Sequence, residues 1–211
     1  SMGAFLQALT AYPDGPHMIS PITNPENGEL IYMPTELPKE ERNNEERLLS
    51  LVQERLEAGE KVLVYYSFIN KTDTGSSLLK MLEDNGITAF EMKSNVAPDK
   101  REEWVEKHLE KGMEVMICNP SLVETGLDLL EFTSIIFYQM GYNLFTMRQA
   151  SRRSWRLSQS NDVKVYFMYY QNSIQEQALS LMATKLQAAM AIEGKFSEEG
   201  LRAMSNNEDL L

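Results

Sequence analysis

A cluster of arginines has the most distinctive chemistry in this sequence. Four arginines fall within nine residues of a chain whose formal net charge is -11, namely Arg148, Arg152, Arg153 and Arg156. In a helix, Gln149, Arg153 and Arg156 would lie at positions i, i+4 and i+7 and share one face. Guanidinium groups offer planar pairs of donors that fit phosphate oxygens, and they stay protonated at any working pH. The spacing predicts a phosphate-binding face, and the alternative is a solvated basic face that balances an acidic surface.

Composition places the chain among ordinary globular proteins. Its 211 residues are 43% hydrophobic and 24% charged, which suits one domain with extra elements or two small ones. No run approaches the roughly 18 apolar residues of a membrane span and no signal-peptide pattern opens the chain, so we expect no membrane contacts. Cys118 is the only cysteine and His17 and His108 are the only histidines. We therefore expect neither a disulfide framework nor a metal site, and a reducing, cytoplasmic setting.

The acidic balance of the chain bears on nucleic-acid binding. A pI near 4.8 argues against strong autonomous binding to nucleic acid, which normally requires a basic surface. DNA binding remains compatible with this charge if a few positioned groups grip the backbone and most of the basic surface lies on a partner lobe outside the chain.

Three regions follow one another along the chain. Residues 1–39 carry six of the eight prolines and predict an irregular arm or inter-lobe linker, with a short hairpin across Asn27-Gly28. Residues 40–192 alternate between helical and strand-like patterns and form the predicted domain. Residues 193–211 are predicted to be a helical or flexible tail. The opening Ser1-Met2 has the form of an expression scar, which would make the chain a piece of a longer protein.

The middle region predicts an α/β domain. Apolar runs predict five strands, at residues 61–68, 88–92, 114–119, 133–139 and 163–170. Amphipathic patterns predict helices at residues 40–58, 75–85, 98–111, 145–156 and 173–192. Strands separated by helical crossovers indicate a mostly parallel sheet with helices on its faces.

Two motifs of a complete ATPase are missing from the sequence. A phosphate-cradling loop of the form G-x-x-x-x-G-K-[ST] should connect a strand to a helix. The only Gly-Lys pair, Gly194-Lys195, is followed by Phe196 and comes after a helical segment. No apolar strand ends in an Asp-Glu pair that would hold the metal. We therefore expect the isolated chain not to hydrolyse ATP.

Four segments in order resemble the second RecA-like lobe of superfamily-2 ATPases. They are KVLVYYSF, EMKSN, VMICNPSLVETGLDLLEF and the arginine block, and they lie within residues 40–192. The spacing Q-A-x-x-R-x-x-R-x-x-Q in the arginine block is most similar to the Swi/Snf-type DNA translocases. This resemblance implies a RecA-like three-layer αβα domain with a mostly parallel sheet, preceded by the irregular arm and followed by C-terminal helices.

The resemblance also implies roles for individual residues. Arg153 and Arg156 would be the catalytic arginine fingers, while Gln149, Gly126 and Asp128 would bind ATP. The residues implied in contacts with the DNA backbone are Ser67, Lys93, Ser94, Asn95, Asn119 and Ser121. The alternatives are an ordinary polar loop at residues 93–95 and a simple turn capped by Asp128.

Cofactors and partners follow from the same resemblance. ATP and Mg²⁺ would be bound mainly by a first lobe that lies outside this chain. The implied partners are that N-terminal RecA-like lobe and DNA. The DNA would be contacted without sequence specificity, and the resemblance favours double-stranded DNA. The chain would then be the second motor lobe of a DNA translocase or helicase. The alternative is a non-catalytic, helicase-like protein-interaction module. A self-contained nucleotide-binding domain is disfavoured because no glycine-rich loop is present.

Overall fold

The computed structural model of the chain describes residues 12–14, 21–33, 43–67, 73–123, 127–139 and 162–193. The strands are β1 (Ile22–Thr23), β2 (Leu30–Tyr32), β3 (Lys61–Tyr65), β4 (Ala89–Met92), β5 (Val115–Cys118), β6 (Phe132–Phe137) and β7 (Lys164–Phe167). The α-helices are α1 (Asn43–Glu57), α2 (Thr74–Asp84), α3 (Arg101–Glu110) and α4 (Ile174–Glu193). Short 3-10 turns lie at Tyr12–Asp14, Pro98–Lys100 and Pro120–Val123.

The last five strands form one sheet in the order β4-β5-β3-β6-β7. Every neighbouring pair in this sheet is parallel. All five predicted strands are therefore confirmed, although each is shorter than its apolar run. The predicted helix at 98–111 begins with a 3-10 turn, because Pro98 fixes the first turn and α3 starts at Arg101. The predicted helix at 145–156 lies outside the described residues.

Helices cover both faces of the sheet, which confirms the predicted three-layer αβα fold. Successive side chains of β3 point to opposite faces. Val62 and Val64 belong to the core that packs under α1 and α2, represented there by Leu48 and Leu78. The odd-numbered Leu63 belongs to the core on the other face. That second core also contains Val105 of α3 and Met182 of α4.

An ionic cluster joins three strands at the amino edge of the sheet. Glu60, just before β3, accepts hydrogen bonds from Ser134 of β6 and from Lys164 Nζ of β7, the latter at 2.6 Å. Burial acts to raise the pKa of Glu60, but the hydrogen bonds from Lys164 and Ser134 and the nearby Arg55 lower it overall. Arg55 of α1 lies 3.7 Å from the same carboxylate. The cluster fixes the edge strand β7 to the centre of the sheet.

A small hairpin precedes the domain in sequence. Strands β1 and β2 are antiparallel, which confirms the hairpin predicted across Asn27-Gly28. The turn closes through a 2.8 Å bond from the Gly28 N–H to the Asn24 carbonyl, and Gly28 takes a φ of +71° that favours glycine. Leu30 is 50% exposed and Ile31 is 64% exposed in this hairpin. In the described ranges, no helix combines the length and apolar character needed to cross a membrane.

Candidate functional site

The candidate site lies at the carboxyl edge of the parallel sheet. Because the five strands run in one direction, the segments that follow them emerge at the same edge, where open α/β sheets bind ligands. The six residues implied in DNA contacts all follow three neighbouring strands. They are Ser67 after β3, Lys93, Ser94 and Asn95 after β4, and Asn119 and Ser121 after β5. The fold thus brings together three segments that are far apart in sequence.

Asn119 connects the ends of β5 and β3. Its side chain is buried, and its Nδ2 group donates to the carbonyl oxygens of Tyr66 at 3.1 Å and Ser67 at 3.5 Å. Its Oδ1 atom accepts from the backbone N–H of Ser121 at 3.0 Å and from the Ser121 hydroxyl at 2.6 Å. Both ends of the amide are engaged within the protein, so Asn119 holds the two segments at a fixed distance.

Gln139 connects the ends of β3 and β6. The Ser67 backbone N–H donates to the Gln139 side-chain oxygen at 3.3 Å, and the Ser67 hydroxyl donates to the Gln139 carbonyl at 3.0 Å. Gln139 is almost completely buried. Two buried amides, one on each side of β3, therefore cross-link the carboxyl ends of three adjacent strands.

Arg101 connects the segments that follow β4 and β5. It begins α3, where its Nη1 atom donates to the Leu122 carbonyl at 2.7 Å. Its Nε atom donates to the Val96 carbonyl at 3.3 Å. One rigid guanidinium group thus spans both segments. Together with the two amides, it links the loops that follow all four strands from β4 to β6.

A polar cluster surrounds Lys93 at the end of β4. The Lys93 ammonium lies 3.2 Å from Glu91 and 3.2 Å from Asp73, and it donates to the Ser76 hydroxyl at 2.8 Å. Glu91 also accepts from the Tyr66 hydroxyl at 2.9 Å and from Ser76 at 3.2 Å. Burial and the neighbouring Glu91 raise the pKa of the Tyr66 phenol. The cluster joins β3, β4 and the start of α2.

Gly75 makes this cluster sterically possible. A Cβ atom at this position in the first turn of α2 would lie 1.9 Å from Glu91 Oε1 and 2.9 Å from Tyr66 Cζ. Both distances are shorter than any Cβ contact that proteins tolerate without movement. The absence of a side chain at Gly75 therefore allows a buried carboxylate to approach the amino end of α2, where the helix dipole favours negative charge.

The tip of the segment after β4 is open to solvent. Lys93, Ser94 and Asn95 are all exposed. A 3.1 Å bond from the Val96 N–H to the Lys93 carbonyl closes the turn that carries them. The tip therefore presents an ammonium, a hydroxyl and an amide to solvent, and these groups can donate hydrogen bonds to phosphate oxygens.

The described residues include one of the three predicted ATP-binding residues. Asp128 is exposed, and it lies between the buried Leu127 and Leu129, which anchor the backbone on both sides. Gly126 and Gln149 lie outside the described residues. The predicted arginine fingers, Arg153 and Arg156, lie outside them as well, so the roles of these residues remain predictions. Across the described part of the chain, no cluster of three or more His, Cys, Asp or Glu could hold a metal ion.

Four residues of this edge have structural roles that the sequence did not reveal. Asp73, Glu91 and Gln139 hold loops together, and Arg101 was noted in the sequence only as the residue to which EMKSN leads. Glu91 is the single charged residue in its strand, between Phe90 and Met92, and Gln139 follows an apolar run directly. A polar residue at an otherwise buried strand position is the signal that would have found these two.

Comparison with known proteins places most of the described domain in one family. The family described as helicase conserved C-terminal domain matches residues 43–158. ATP-dependent helicase fft2 of Schizosaccharomyces pombe is 26% identical over 155 residues, which cover 72% of this chain and 12% of that protein. Another relative is the SWI/SNF-related matrix-associated actin-dependent regulator of chromatin subfamily A containing DEAD/H box 1 homolog of Caenorhabditis elegans. It is 24% identical over 168 residues, which cover 77% of this chain and 17% of that protein.

Comparison with solved structures shows the same fold. The crystal structure of the C-terminal part of the Fun30 ATPase domain superposes with a TM-score of 0.58 at 19% sequence identity. The superposition covers 70% of this chain and 48% of that one.

A third relative is an uncharacterized ATP-dependent helicase of Mycoplasma pneumoniae. It is 25% identical over 141 residues, which cover 66% of this chain and 13% of that protein. The chain thus spans less than a fifth of the length of each of these three relatives.

Proposed function

The chain belongs to the helicase conserved C-terminal domain family, and from that premise we propose that it is the second motor lobe of an ATP-dependent, Swi/Snf-type DNA translocase. The relatives fft2 and the Mycoplasma pneumoniae protein are both named ATP-dependent helicases. In this proposal ATP is held between two lobes, and the chain supplies one side of the cleft. The phosphate-binding loop and the residues that hold Mg²⁺ are supplied by the first lobe.

Arg153 and Arg156 are the proposed arginine fingers. When ATP and Mg²⁺ are bound, phosphoryl transfer to water supplies the free energy for movement. Negative charge grows on the transferring phosphoryl group during this step, and guanidinium groups stabilise it, an effect worth roughly 10³- to 10⁵-fold in rate. Gln149 orients the nucleotide or an arginine. Gly126 lets the backbone approach phosphate, and the exposed Asp128 accepts a hydrogen bond from a ribose hydroxyl.

The carboxyl edge of the sheet is the proposed track for the DNA backbone. The observation that carries this proposal is the cross-linking of its loops by Asn119, Gln139 and Arg101. Loops held in this way keep fixed spacings while the lobe moves, as a lobe that pulls on DNA requires. The contacting groups would be Ser67, Lys93, Ser94, Asn95 and Ser121. Asn119, whose amide is engaged within the protein, would position Ser67 and Ser121 for these contacts. Contacts to phosphate carry no sequence information, so the motor would track double-stranded DNA without specificity.

A second candidate function is a non-catalytic protein-interaction module with a helicase-like fold. The net charge of -11 favours it, since an acidic surface repels DNA and suits a basic protein partner. The two functions make different demands on the arginine block. A motor requires Arg153 and Arg156 for ATP hydrolysis, whereas an interaction module does not.

ATP turnover tests the proposal. We expect no turnover by this chain alone, with or without double-stranded DNA, and DNA-stimulated turnover when a first lobe bearing the phosphate-binding loop is joined to it. Arg153→Ala and Arg156→Ala should each lower that turnover by about 10³-fold or more. Arg148→Ala is the matched control, because it removes an arginine from the same block that lies outside the i, i+4, i+7 set of Gln149, Arg153 and Arg156 in the predicted helix. Intact turnover in both finger variants, with loss of a protein partner, would favour the interaction module.

A further inference from the structure

The environment of Lys93 is unusual for a residue that contacts DNA. Its ammonium group is already paired with two carboxylates, Asp73 and Glu91, each at 3.2 Å. The three side chains together carry a net charge of -1, so this part of the edge offers phosphate no excess positive charge. A phosphate that approaches Lys93 must therefore compete with an anion that belongs to the protein.

The two carboxylates differ in how readily they can be displaced. The Glu91 side chain is 2% exposed, whereas those of Lys93 and Asp73 are 44% and 63% exposed. Glu91 is also held by the Tyr66 hydroxyl at 2.9 Å. Solvent and ions reach the Lys93–Asp73 pair directly, whereas the Glu91 carboxylate of the Lys93–Glu91 pair is buried in the protein. Asp73 is thus the partner that an incoming anion would replace.

Ser76 holds the Asp73 carboxylate in place independently of Lys93. As the N-cap of α2, Asp73 accepts from the Ser76 N–H at 3.2 Å and from the Ser76 hydroxyl at 2.7 Å. The hydrogen bonds from Ser76, and then the one from Lys93, lower the pKa of Asp73. The carboxylate is therefore ionised at neutral pH, and it remains beside Lys93 when the lysine turns to another anion.

We propose that Asp73 competes with the DNA backbone for Lys93 and so limits the affinity of the second lobe for DNA. This inference rests on the proposed function, in which Lys93 contacts phosphate. The competition keeps the contact weak, and a loop that must release DNA in each cycle needs a weak contact. Lys93 would exchange Asp73 for phosphate on binding while its ammonium keeps the contact with Glu91.

The variant Asp73→Asn tests this competition with this chain and a short fluorescein-labelled DNA duplex in low salt. Asparagine is as good an N-cap as aspartate, so α2 should keep its start while the charge is removed. We expect the duplex to bind about 1.4- to fivefold more tightly, the range that corresponds to exposed ion pairs. We also expect the dependence of log K on log salt to steepen by up to about 0.9, the value for one additional phosphate contact. Asp73→Ser, a second uncharged N-cap, should behave in the same way.

Two controls separate competition from a general effect of charge. Asp84→Asn removes the same charge from the exposed far end of α2 and should leave affinity nearly unchanged. Lys93→Met should abolish the gain produced by Asp73→Asn. Equal gains in affinity from Asp73→Asn and Asp84→Asn would overturn the proposal. A gain that persists in the Lys93→Met background would also overturn it. So would the absence of any gain in variants that unfold like the native chain. If neither the native chain nor any variant bound the duplex, either alone or joined to the first lobe, the proposed DNA contact itself would be wrong, and this inference with it.

Discussion

Replacement of Asn119 by alanine should loosen the carboxyl edge of the sheet and destabilise the whole domain. Asn119 is the buried amide that joins the ends of β5 and β3. Alanine removes the donor to the Tyr66 carbonyl, at 3.1 Å, and the acceptor for the two Ser121 groups. These two sides of the amide should contribute unequally, because Tyr66 is buried and Ser121 is exposed.

The expected loss of stability follows from this difference in exposure. A buried carbonyl left without a donor costs about 1–3 kcal/mol, which includes the lost hydrogen bond. Water can replace the bonds to the exposed Ser121, so they should add no more than about 0.5 kcal/mol. We therefore expect Asn119→Ala to lower the free energy of unfolding by about 1–3.5 kcal/mol. For a chain of this length, the melting temperature should fall by roughly 2–14 °C.

Urea unfolding followed by circular dichroism measures this loss. The midpoint should shift to lower urea, while the slope m stays constant, because the surface exposed on unfolding is nearly unchanged. Ser121→Ala is the matched control, since it removes only the hydroxyl on the exposed side, and it should cost less than about 0.5 kcal/mol. A loss below about 0.5 kcal/mol for Asn119→Ala would refute the reasoning that the Tyr66 carbonyl depends on this amide.

Asn119→Asp tests the direction of the hydrogen bonds at the same position. A carboxylate there would place an oxygen against the Tyr66 and Ser67 carbonyls, so its pKa in the folded chain should rise above the ordinary value of about 3.9. With a raised folded pKa, the destabilisation is full above that pKa and diminishes as the pH falls towards the unfolded value. We therefore expect the difference in unfolding free energy between this variant and the native chain to shrink in acid. A difference that is independent of pH would contradict the donor role of Nδ2.

Three further substitutions test other parts of the fold. Gly75→Ala should destabilise the domain by about 1–2 kcal/mol. The new methyl group would force the Glu91 and Tyr66 side chains to move, and this movement should cost more free energy than the gain of about 1 kcal/mol in helix propensity. At least half of that cost should disappear when Glu91→Ala removes the carboxylate that the new methyl group would meet, as a double-mutant cycle would show. Glu60→Gln should cost about 1 kcal/mol at neutral pH by weakening the pair with Lys164. Because the pKa of Glu60 is lowered from its ordinary value of 4.5, that cost should be fully present above about pH 4.5 and vanish as the pH falls through the folded pKa. Leu63→Ala, at a fully buried position in the central strand, should cost about 2–5 kcal/mol in the same urea assay.

The sequence by itself determined the class of the fold and the family. Apolar runs long enough for buried strands, alternating with amphipathic helices, left a parallel α/β sheet as the arrangement that buries both faces. Five strands were predicted, and five strands form the sheet. The order of four short motifs indicated the helicase family, which the match over residues 43–158 confirms. The hairpin across Asn27-Gly28 followed from turn chemistry that requires only neighbouring residues.

The arrangement within the candidate site was decided only by the tertiary structure. Periodicity gives the face on which a residue lies, but it does not give the order of strands, and the order β4-β5-β3-β6 is what brings Asn119, Ser67 and Gln139 together. The resemblance implied a DNA contact for Lys93, whereas the structure pairs its ammonium with Glu91 at the end of β4 and with Asp73, the N-cap of α2. The pairing of Lys93 with Asp73 joins side chains that are twenty residues apart in sequence. Local propensity and motif spacing carry no information about contacts of this kind, because the contacts form only after the sheet has set the distances between its loops.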